Sequence, residues 1–317
     1  MTTKKILSER VIKKAKNRDK NKRMRQWNLM VIIPVLSVFI FNYVPLYGIL
    51  IAFKKYRYAD GILGSKWVGL ENFKIFLRSQ DLWLILKNTI SLNVLFIITG
   101  TIAGLALAIL LFELKSSLQT KIYQTMMITP NFVSWVIGGY VVYAFLNPSY
   151  GIANHVLAKL GLPAVQWYSR PELWPGILCI ANIWKGVGMG SIMYYAALMG
   201  IDTCQFEAAE LDGASKMQKV RYIMLPGIAT MIGILLIISI GGILGGDFGL
   251  FYQLTRNVGE LRPTTEIIAT YTYRMFRERN NPSLSTAIGL MQSVVGLILT
   301  VAANKINKII DEDGGMF

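Results

Sequence analysis

Six apolar runs, each long enough to cross a lipid bilayer, constrain this sequence more than any other feature. A membrane-spanning helix needs about 20 predominantly apolar residues. We place the runs at 27–53, 88–114, 122–146, 174–199, 227–250 and 284–306. Between them lies no segment large enough for a separate soluble domain. The sequence therefore predicts an all-α integral membrane protein with six transmembrane helices.

The composition agrees with a membrane protein and argues against a nucleic-acid partner. Only 16% of the residues are charged and 53% are hydrophobic, whereas a soluble chain normally carries more charge. The net charge of +15 is concentrated in the tail 1–26, directly before the first apolar run. Basic segments that flank a membrane span indicate the cytoplasmic side. That run is too long for a cleavable signal peptide, and no small-residue cleavage site follows it.

The distribution of Lys and Arg also predicts the orientation and the domain organisation. With both termini inside, the cytoplasmic segments hold more basic residues than the outer loops, mainly because of the tail. We therefore expect a basic cytoplasmic tail at 1–26, one six-helix domain at 27–310 and a short cytoplasmic tail at 311–317. The polar loop 200–226, between the fourth and fifth spans, then lies in the cytoplasm.

This loop, which contains EAAELDGASKMQKVRYIMLP, has the pattern of two short helices. Asp202 with Gln205, and Ser215 with Gln218, have the spacing of capping boxes. Gly213 between them is a typical C-terminal stop. A solvated amphipathic loop on the membrane surface would fit the same pattern, so shape alone does not assign a role.

The loop resembles the cytoplasmic EAA loop of importer-type ABC transporter permeases. The residues that carry the resemblance are Glu207, Ala208, Ala209, Asp212, Gly213, Ala214, Ile223, Leu225 and Pro226. Segments 67–77, 131–161, 183–202 and 286–306 resemble the carbohydrate-uptake, maltose-type class of these permeases. Within that class they resemble the LplB-like branch, which handles oligosaccharides and polysaccharide fragments. The similarity covers nearly all of the chain after the tail.

The resemblance implies a type I ABC importer permease fold with a short cytoplasmic coupling helix between helices 4 and 5. It implies a multi-pass protein of the bacterial cytoplasmic membrane that forms half of a sugar pore. A second, different permease chain, two cytoplasmic ATPase subunits and an extracytoplasmic solute-binding protein would be its partners. Glu207 would then face a basic residue of the ATPase, the two alanines after it would pack closely, and Gly213 would make the turn.

The chain itself carries no signature of catalysis. It contains no GxxxxGK[ST] segment, so the partner ATPase is expected to use ATP and Mg while this chain binds no cofactor. The glycines of 241–249 lack the P-loop lysine and are typical of flexible or closely packed membrane helices. His155, Cys179 and Cys204 have no metal-ligand spacing, and a disulfide is not expected.

Candidates for the substrate pathway are polar or aromatic residues in or near the spans. They are Trp184, Lys185, Met189, Tyr194, Tyr195 and Asp247. An ionisable residue inside a span is costly and often functional. Lys185 could instead pair with a carbonyl or an acid inside the bundle, and Asp247 could cap a loop. Trp67, in the first outer loop, could contact the solute-binding protein or anchor the chain at the membrane interface.

Three other functions are alternatives to a sugar permease. A membrane-embedded enzyme would show clustered catalytic groups, and none is visible in the sequence. A self-contained secondary transporter would need paired broken helices with ion ligands at the midplane. An ABC permease for a non-sugar solute remains an alternative.

Overall fold

The computed structural model describes residues 24–310, and this part of the chain is built almost entirely of helices. In chain order the helices are α1 Met24–Phe53, α2 Gly61–Gly64, α3 Glu71–Leu77, α4 Leu82–Phe112, α5 Ser117–Phe132, α6 Trp135–Leu146, α7 Ile152–Lys159, α8 Trp174–Leu198, α9 Thr203–Leu211, α10 Lys216–Gly227, α11 Ala229–Gly241, α12 Phe248–Thr255, α13 Arg262–Thr265, α14 Ile268–Arg277 and α15 Pro282–Ile310. Short 3₁₀ turns cover Trp167–Ser169, Pro171–Leu173 and Gly259–Leu261. Strands β1 Lys54–Lys55 and β2 Lys66–Trp67 pair antiparallel. The predicted tail 311–317, and all but the last three residues of the tail 1–26, lie outside the described residues.

Helices long and apolar enough to span a membrane match the six predicted runs. Within residues 24–310, four single helices qualify: α1, α4, α8 and α15. Two bent pairs, α5 with α6 and α10 with α11, raise the number to six if each pair is one span. The all-α membrane fold predicted from the sequence is therefore confirmed, with two of its spans broken.

The third predicted span is not one straight helix. Helices α5 and α6 meet at an angle of 95° around Val133 and Ser134. Pro130 cannot donate a backbone hydrogen bond, so the end of α5 tightens into a 3₁₀ turn. The Ser134 hydroxyl then caps a new helix by accepting from the Ile137 amide. Hydropathy is high throughout 122–146, and for that reason it does not reveal the break.

The fifth predicted span, 227–250, is also interrupted. Its helix α11 ends at Gly241, and a non-helical segment, 242–247, separates it from α12. Gly246 has a φ of +64°, a conformation that side chains with a Cβ rarely adopt. At the other end, Ile228 separates α11 from α10, and the two helices bend by 63°. The glycine-rich stretch therefore breaks the helix, and its glycines at 241, 246 and 249 are closely packed against Thr300, Ile267 and Trp135.

The core is centred on α4 and α8, which pack along each other. Leu92 and Phe96 of α4 meet Leu178 of α8 in a buried cluster that also takes in α12. Toward the C-terminal ends of the same two helices, Ala108 packs with Leu198 in a second cluster that includes the end of α10. The two long helices therefore form the frame against which the loops and the broken spans are placed.

Candidate functional site

Helix α9 begins with a side-chain cap at the exit from α8. The carboxylate of Asp202 accepts a hydrogen bond from the Cys204 amide at 3.0 Å. This bond holds the pKa of Asp202 below its usual range, because it stabilises the charged form. The cap is a simple one and not the predicted capping box, since Gln205 bonds only the backbone oxygen of Asp202.

Gly213 ends α9 in a Schellman turn. It has a φ of +73°. Its amide bonds the Glu210 carbonyl at 3.1 Å, and the Ala214 amide bonds the Ala209 carbonyl at 2.9 Å. These two bonds satisfy carbonyls that the end of the helix would otherwise leave unpaired. The helix stop predicted at Gly213 is confirmed.

A capping box starts α10, as the sequence predicted. The amide of Ser215 donates to the Gln218 side chain at 2.7 Å, while the Ser215 hydroxyl accepts from the Gln218 amide. Helix α10 then contains a π turn at Val220–Met224 and ends at Gly227. Helices α9 and α10 thus form a helix-turn-helix between α8 and α11.

Two ion pairs and one ring contact fix this helix-turn-helix. Lys219 of α10 pairs with Glu210 of α9 at 2.6 Å, which lowers the pKa of Glu210. Lys216 pairs with Glu113, just after α4, at 2.7 Å, and the pKa of Lys216 rises as a result. On the membrane side, the Phe206 ring lies 5.4 Å from that of Phe112. The helix-turn-helix therefore contacts the end of α4 directly.

The predicted coupling residues divide into an exposed set and a packed set. Exposed are Glu207, Ala208, Asp212, Gly213 and Pro226, and partly buried are Ala209, Ala214, Ile223 and Leu225. Two apolar side chains here were not among the predicted coupling residues: Leu211 is 90% exposed and Met217 is 73% exposed. They were visible as apolar residues in a polar loop. They add apolar surface to the exposed face of the loop.

A cavity of about 770 Å³ opens between α4, α8, α11 and the segment before α12. Its polar lining consists of Asn93, Thr101, Asn182, Ser239 and Asp247, and its aromatic lining of Phe96, Tyr194 and Phe248. Amides and hydroxyls beside aromatic rings match the polar groups and the apolar faces of sugar rings. Asp247 is the charged residue of this lining, and no Lys or Arg contributes to it within the described residues.

The structure places two of the six predicted pathway residues at this cavity, Tyr194 and Asp247. Trp184 instead lines an apolar groove between α6 and α8. Met189 is exposed outside the cavity lining, and Tyr195 packs against the cluster around Leu198. Four polar lining residues were missed, namely Asn93, Thr101, Asn182 and Ser239. The signal was available, because each is a polar residue inside an apolar run.

Lys185 and Asp247 are joined through Trp135, which the sequence analysis also missed. The Lys185 ammonium donates to the Val133 carbonyl at the bend between α5 and α6. It also lies 4.7 Å from the centre of the Trp135 ring, in a cation–π contact. The Trp135 ring nitrogen donates to Asp247, whose carboxylate caps α12 through the Leu250 amide at 3.2 Å. We call these three residues the bend network.

Of the remaining singled-out residues, Cys204 lies in the first turn of α9, and the others lie outside the helix-turn-helix and the cavity lining. His155 is exposed on α7, Cys179 is buried and Cys204 is exposed. Trp67 is exposed and stacks on Phe53, with ring centres 5.6 Å apart.

Comparison with known proteins decides the family. The sequence profile of the family described as "Binding-protein-dependent transport system inner membrane component" matches residues 97–312. The chain belongs to this family. The matched range contains the helix-turn-helix, the bend network and most of the cavity lining. This inner-membrane permease is therefore a component of a binding-protein-dependent transport system.

Two curated relatives of this permease come from Bacillus subtilis (strain 168). Protein LplB is 36% identical over 290 residues, covering 91% of each chain. The polygalacturonan/rhamnogalacturonan transport system permease protein YteP is 34% identical over 286 residues, covering 90% of this chain and 88% of the relative. Identity at this level over nearly the full length of both proteins supports the predicted ABC importer branch.

Solved structures extend the similarity to three dimensions. The permease matches a chain of a bacterial ABC transporter involved in the import of the acidic polysaccharide alginate, with a TM-score of 0.82 and 32% identity. The match covers 92% of this chain and 98% of the other. A second structure, the alginate transporter in complex with an alginate pentasaccharide-bound periplasmic protein, matches with a TM-score of 0.81. The type I importer permease fold is thereby confirmed.

Proposed function

We propose that this permease forms half of the pore of an ABC importer for oligosaccharides or polysaccharide fragments. The observation that carries the coupling role is the exposed helix-turn-helix, which is fastened to the end of α4 by Lys216 and Glu113. A push on α9 would reach α4 through this ion pair and α11 through α10. The relatives that transport polygalacturonan, rhamnogalacturonan and alginate support a saccharide as the substrate.

ATP hydrolysis belongs to a separate subunit in this proposal. Two cytoplasmic ATPases bind α9 and α10, and they alone use ATP and Mg. Glu207 offers a carboxylate to a basic residue of the ATPase, and the exposed Leu211 and Met217 add apolar contact. This arrangement places the loop 200–226 and both termini in the cytoplasm.

The substrate arrives from the other side of the membrane. An extracytoplasmic solute-binding protein delivers it, as the pentasaccharide-bound periplasmic protein of the alginate transporter suggests. A second permease, different in sequence, completes the pore. The cavity between α4, α8 and α11 then receives the saccharide, with Asn93, Asn182 and Ser239 as hydrogen-bonding groups.

The test is reconstitution with the partner permease, the ATPase and the solute-binding protein. Glu207→Lys reverses a charge on the exposed face of α9, so we expect normal insertion but reduced ATPase co-purification and reduced saccharide-stimulated hydrolysis. Glu260→Lys is the matched control, since Glu260 is also exposed but lies in the segment before α13. Full docking and stimulation in Glu207→Lys would contradict the coupling role. A lack of stimulation by any saccharide would contradict the substrate class.

A further inference from the structure

A second, smaller pocket lies between α6 and α12, and we call it the outer pocket. It has a volume of about 230 Å³. Its lining residues are Val136, Gly139, Tyr140, Tyr252, Gln253 and Arg256. The volume is below the roughly 300–1,000 Å³ of pockets that bury whole drug-sized ligands. The outer pocket therefore suits a single sugar unit of a longer chain.

Close contact between two helix backbones forms the floor of this pocket. A Cβ added at Gly139 of α6 would come within 2.7 Å of the Gln253 carbonyl oxygen on α12. The helices can approach this closely only because position 139 has no side chain. Beyond the contact, Tyr140 of α6 and Tyr252 of α12 form two aromatic walls.

The pocket lies at the end of the bundle opposite the helix-turn-helix. Arg256 stacks on Tyr143, whose ring lies 5.7 Å from that of Tyr168. Tyr168 in turn lies 5.0 Å from Trp174, where α8 begins. Helix α9 follows the opposite end of α8, at Leu198. In the proposed orientation, the pocket is on the side from which substrate arrives.

Arg256 presents a guanidinium group that no carboxylate neutralises within the described residues. Its guanidinium carbon lies 4.0 Å from the centre of the Tyr143 ring, and none of the ion pairs up to 4.0 Å includes it. Glu278, beside the same turn, is already engaged by Asn257 at 2.8 Å and by Arg262 at 4.0 Å. Stacking on the ring face leaves the N–H groups along the guanidinium edge available.

The backbone around Arg256 is held in an uncommon conformation. Arg256 and Asn257 have φ values of +53° and +52°. A left-handed conformation is uncommon in non-glycine residues and tends to occur at functional sites. Here it ends α12 and directs the chain so that Arg256 lies next to Tyr252 and Gln253 in the pocket lining.

We propose that the outer pocket binds a carboxylate-bearing sugar unit of an acidic oligosaccharide, with Arg256 holding the carboxylate. A guanidinium fork matches the geometry of a carboxylate and binds it through two parallel hydrogen bonds. Tyr140 and Tyr252 lie against the apolar faces of the sugar ring, and the Gln253 amide bonds a hydroxyl group. This inference rests on the proposed import function and narrows its substrate class to uronate-containing chains.

Helix α12 connects this pocket to the cavity. Phe248 and Gly249 line the cavity, and Tyr252 and Gln253 follow one turn later on the same face. Four residues of an α-helix span about 6 Å along its axis, so the outer pocket lies about one helical turn from the cavity. Among the residues that the structure describes, the cavity lining has no Lys or Arg, so Arg256 would recognise the charge in the outer pocket before the saccharide moves inward.

A labelling experiment tests the site directly in the assembled complex in nanodiscs. Cys204→Ser removes the exposed thiol and leaves the buried Cys179. Val136→Cys then places a reactive thiol in the pocket lining. We expect trigalacturonate to slow maleimide labelling at concentrations at least about tenfold below those needed by its trimethyl ester. Arg256→Gln should remove this difference, and Arg256→Lys should restore part of it. Equal protection by acid and ester, or unchanged protection in Arg256→Gln, would overturn the proposal.

Trigalacturonate-stimulated ATP hydrolysis separates this inference from the proposed function. Arg256→Gln should raise the half-stimulating concentration about tenfold, whereas Arg57→Gln, at an exposed arginine before β2, should not. If saccharides stimulate hydrolysis but Arg256→Gln changes nothing, the outer pocket alone is rejected. If no saccharide stimulates hydrolysis, the import function is rejected as well. Weaker binding of the ligand-free solute-binding protein to Arg256→Gln would make Arg256 a protein-docking residue and would also overturn the proposal.

Discussion

The helix-turn-helix and the bend network differ in how far apart along the chain their interacting residues lie. In the former, the caps, the turn and the Glu210–Lys219 pair join residues fewer than ten positions apart, and only the contacts of Lys216 and Phe206 reach back to the end of α4. In the bend network, Lys185 bonds a carbonyl 52 positions away, and Trp135 bonds a carboxylate 112 positions away. Local chemistry therefore shapes the first region, and the packing of whole helices shapes the second.

The packing of the surrounding helices separates the two regions as well. Most of the side chains of α9 face outward, and its caps are local hydrogen bonds at the two ends of the helix. The bend network lies beside helices packed so closely that an added methyl group has no room. We therefore expect changes near the network to affect the stability of the fold, and changes in the helix-turn-helix to affect partner binding. The following predictions test this contrast.

The largest effect is expected from Gly188→Ala on α8. A Cβ at this position would collide with the Met127 carbonyl and the Ile128 nitrogen of α5. Overpacking of this kind typically costs about 1–3 kcal/mol, so the complex should lose much of its resistance to heating in detergent. Gly176→Ala on the same helix is the control, because nothing lies within 4 Å of its added Cβ. Equal heat resistance in the two variants would show that the packing at Gly188 is looser than the structure indicates.

A smaller loss of stability should follow Lys185→Met. The change removes a hydrogen bond from a charged group to the Val133 carbonyl but forces no atoms together, so the packed helices need not shift as they must in Gly188→Ala. We expect lower heat resistance and an unchanged ratio of stimulation by acidic and neutral saccharides. Lys159→Met, at the exposed end of α7, is the control. If Lys185→Met selectively lost stimulation by acidic saccharides, Lys185 would be a substrate-pathway residue and not only a structural residue at the bend.

Gly213→Val should affect coupling more than stability. A branched side chain at a φ of +73° costs about 1–2 kcal/mol locally and distorts the turn between α9 and α10. We expect a normal amount of protein in the membrane, with reduced ATPase co-purification. Gly259→Val, at an exposed glycine without a positive φ, should bind the ATPase normally. If the ATPase co-purified normally with Gly213→Val, the conformation of this turn would not be needed for coupling.

The smallest effect concerns the ion pair between Glu210 and Lys219, because Glu210 is solvent-exposed. The hydrogen bond from Lys219 lowers the pKa of Glu210. The contribution of the pair to stability is therefore present above the ordinary pKa of glutamate and is lost as the pH falls through the lowered value. We expect ATPase docking to weaken slightly at acid pH, and Glu210→Gln to remove this part of the pH dependence. An identical pH profile in the variant would show that the pair does not set the loop geometry.

The sequence alone determined the membrane class, the position of the spans and the helix-turn-helix. These features depend on composition and on contacts between near neighbours. The apolar runs predict which helices are long and apolar enough to cross a membrane, and Gly213 and Ser215 set a stop and a start through hydrogen bonds within a few residues. The resemblance to the EAA loop of ABC permeases could also be found from the sequence, because all the residues that carry it lie within the loop 200–226.

The tertiary structure decided where the broken spans bend and which polar side chains meet. Hydropathy is averaged over a window and does not register the break at Val133 or the interruption after Gly241. The pairing of Trp135 with Asp247 depends on α6 packing on α12, and the outer pocket depends on the close approach at Gly139. Such contacts arise from the shapes of helices that are distant in the chain, because each side chain's neighbours are set only when the whole bundle has packed.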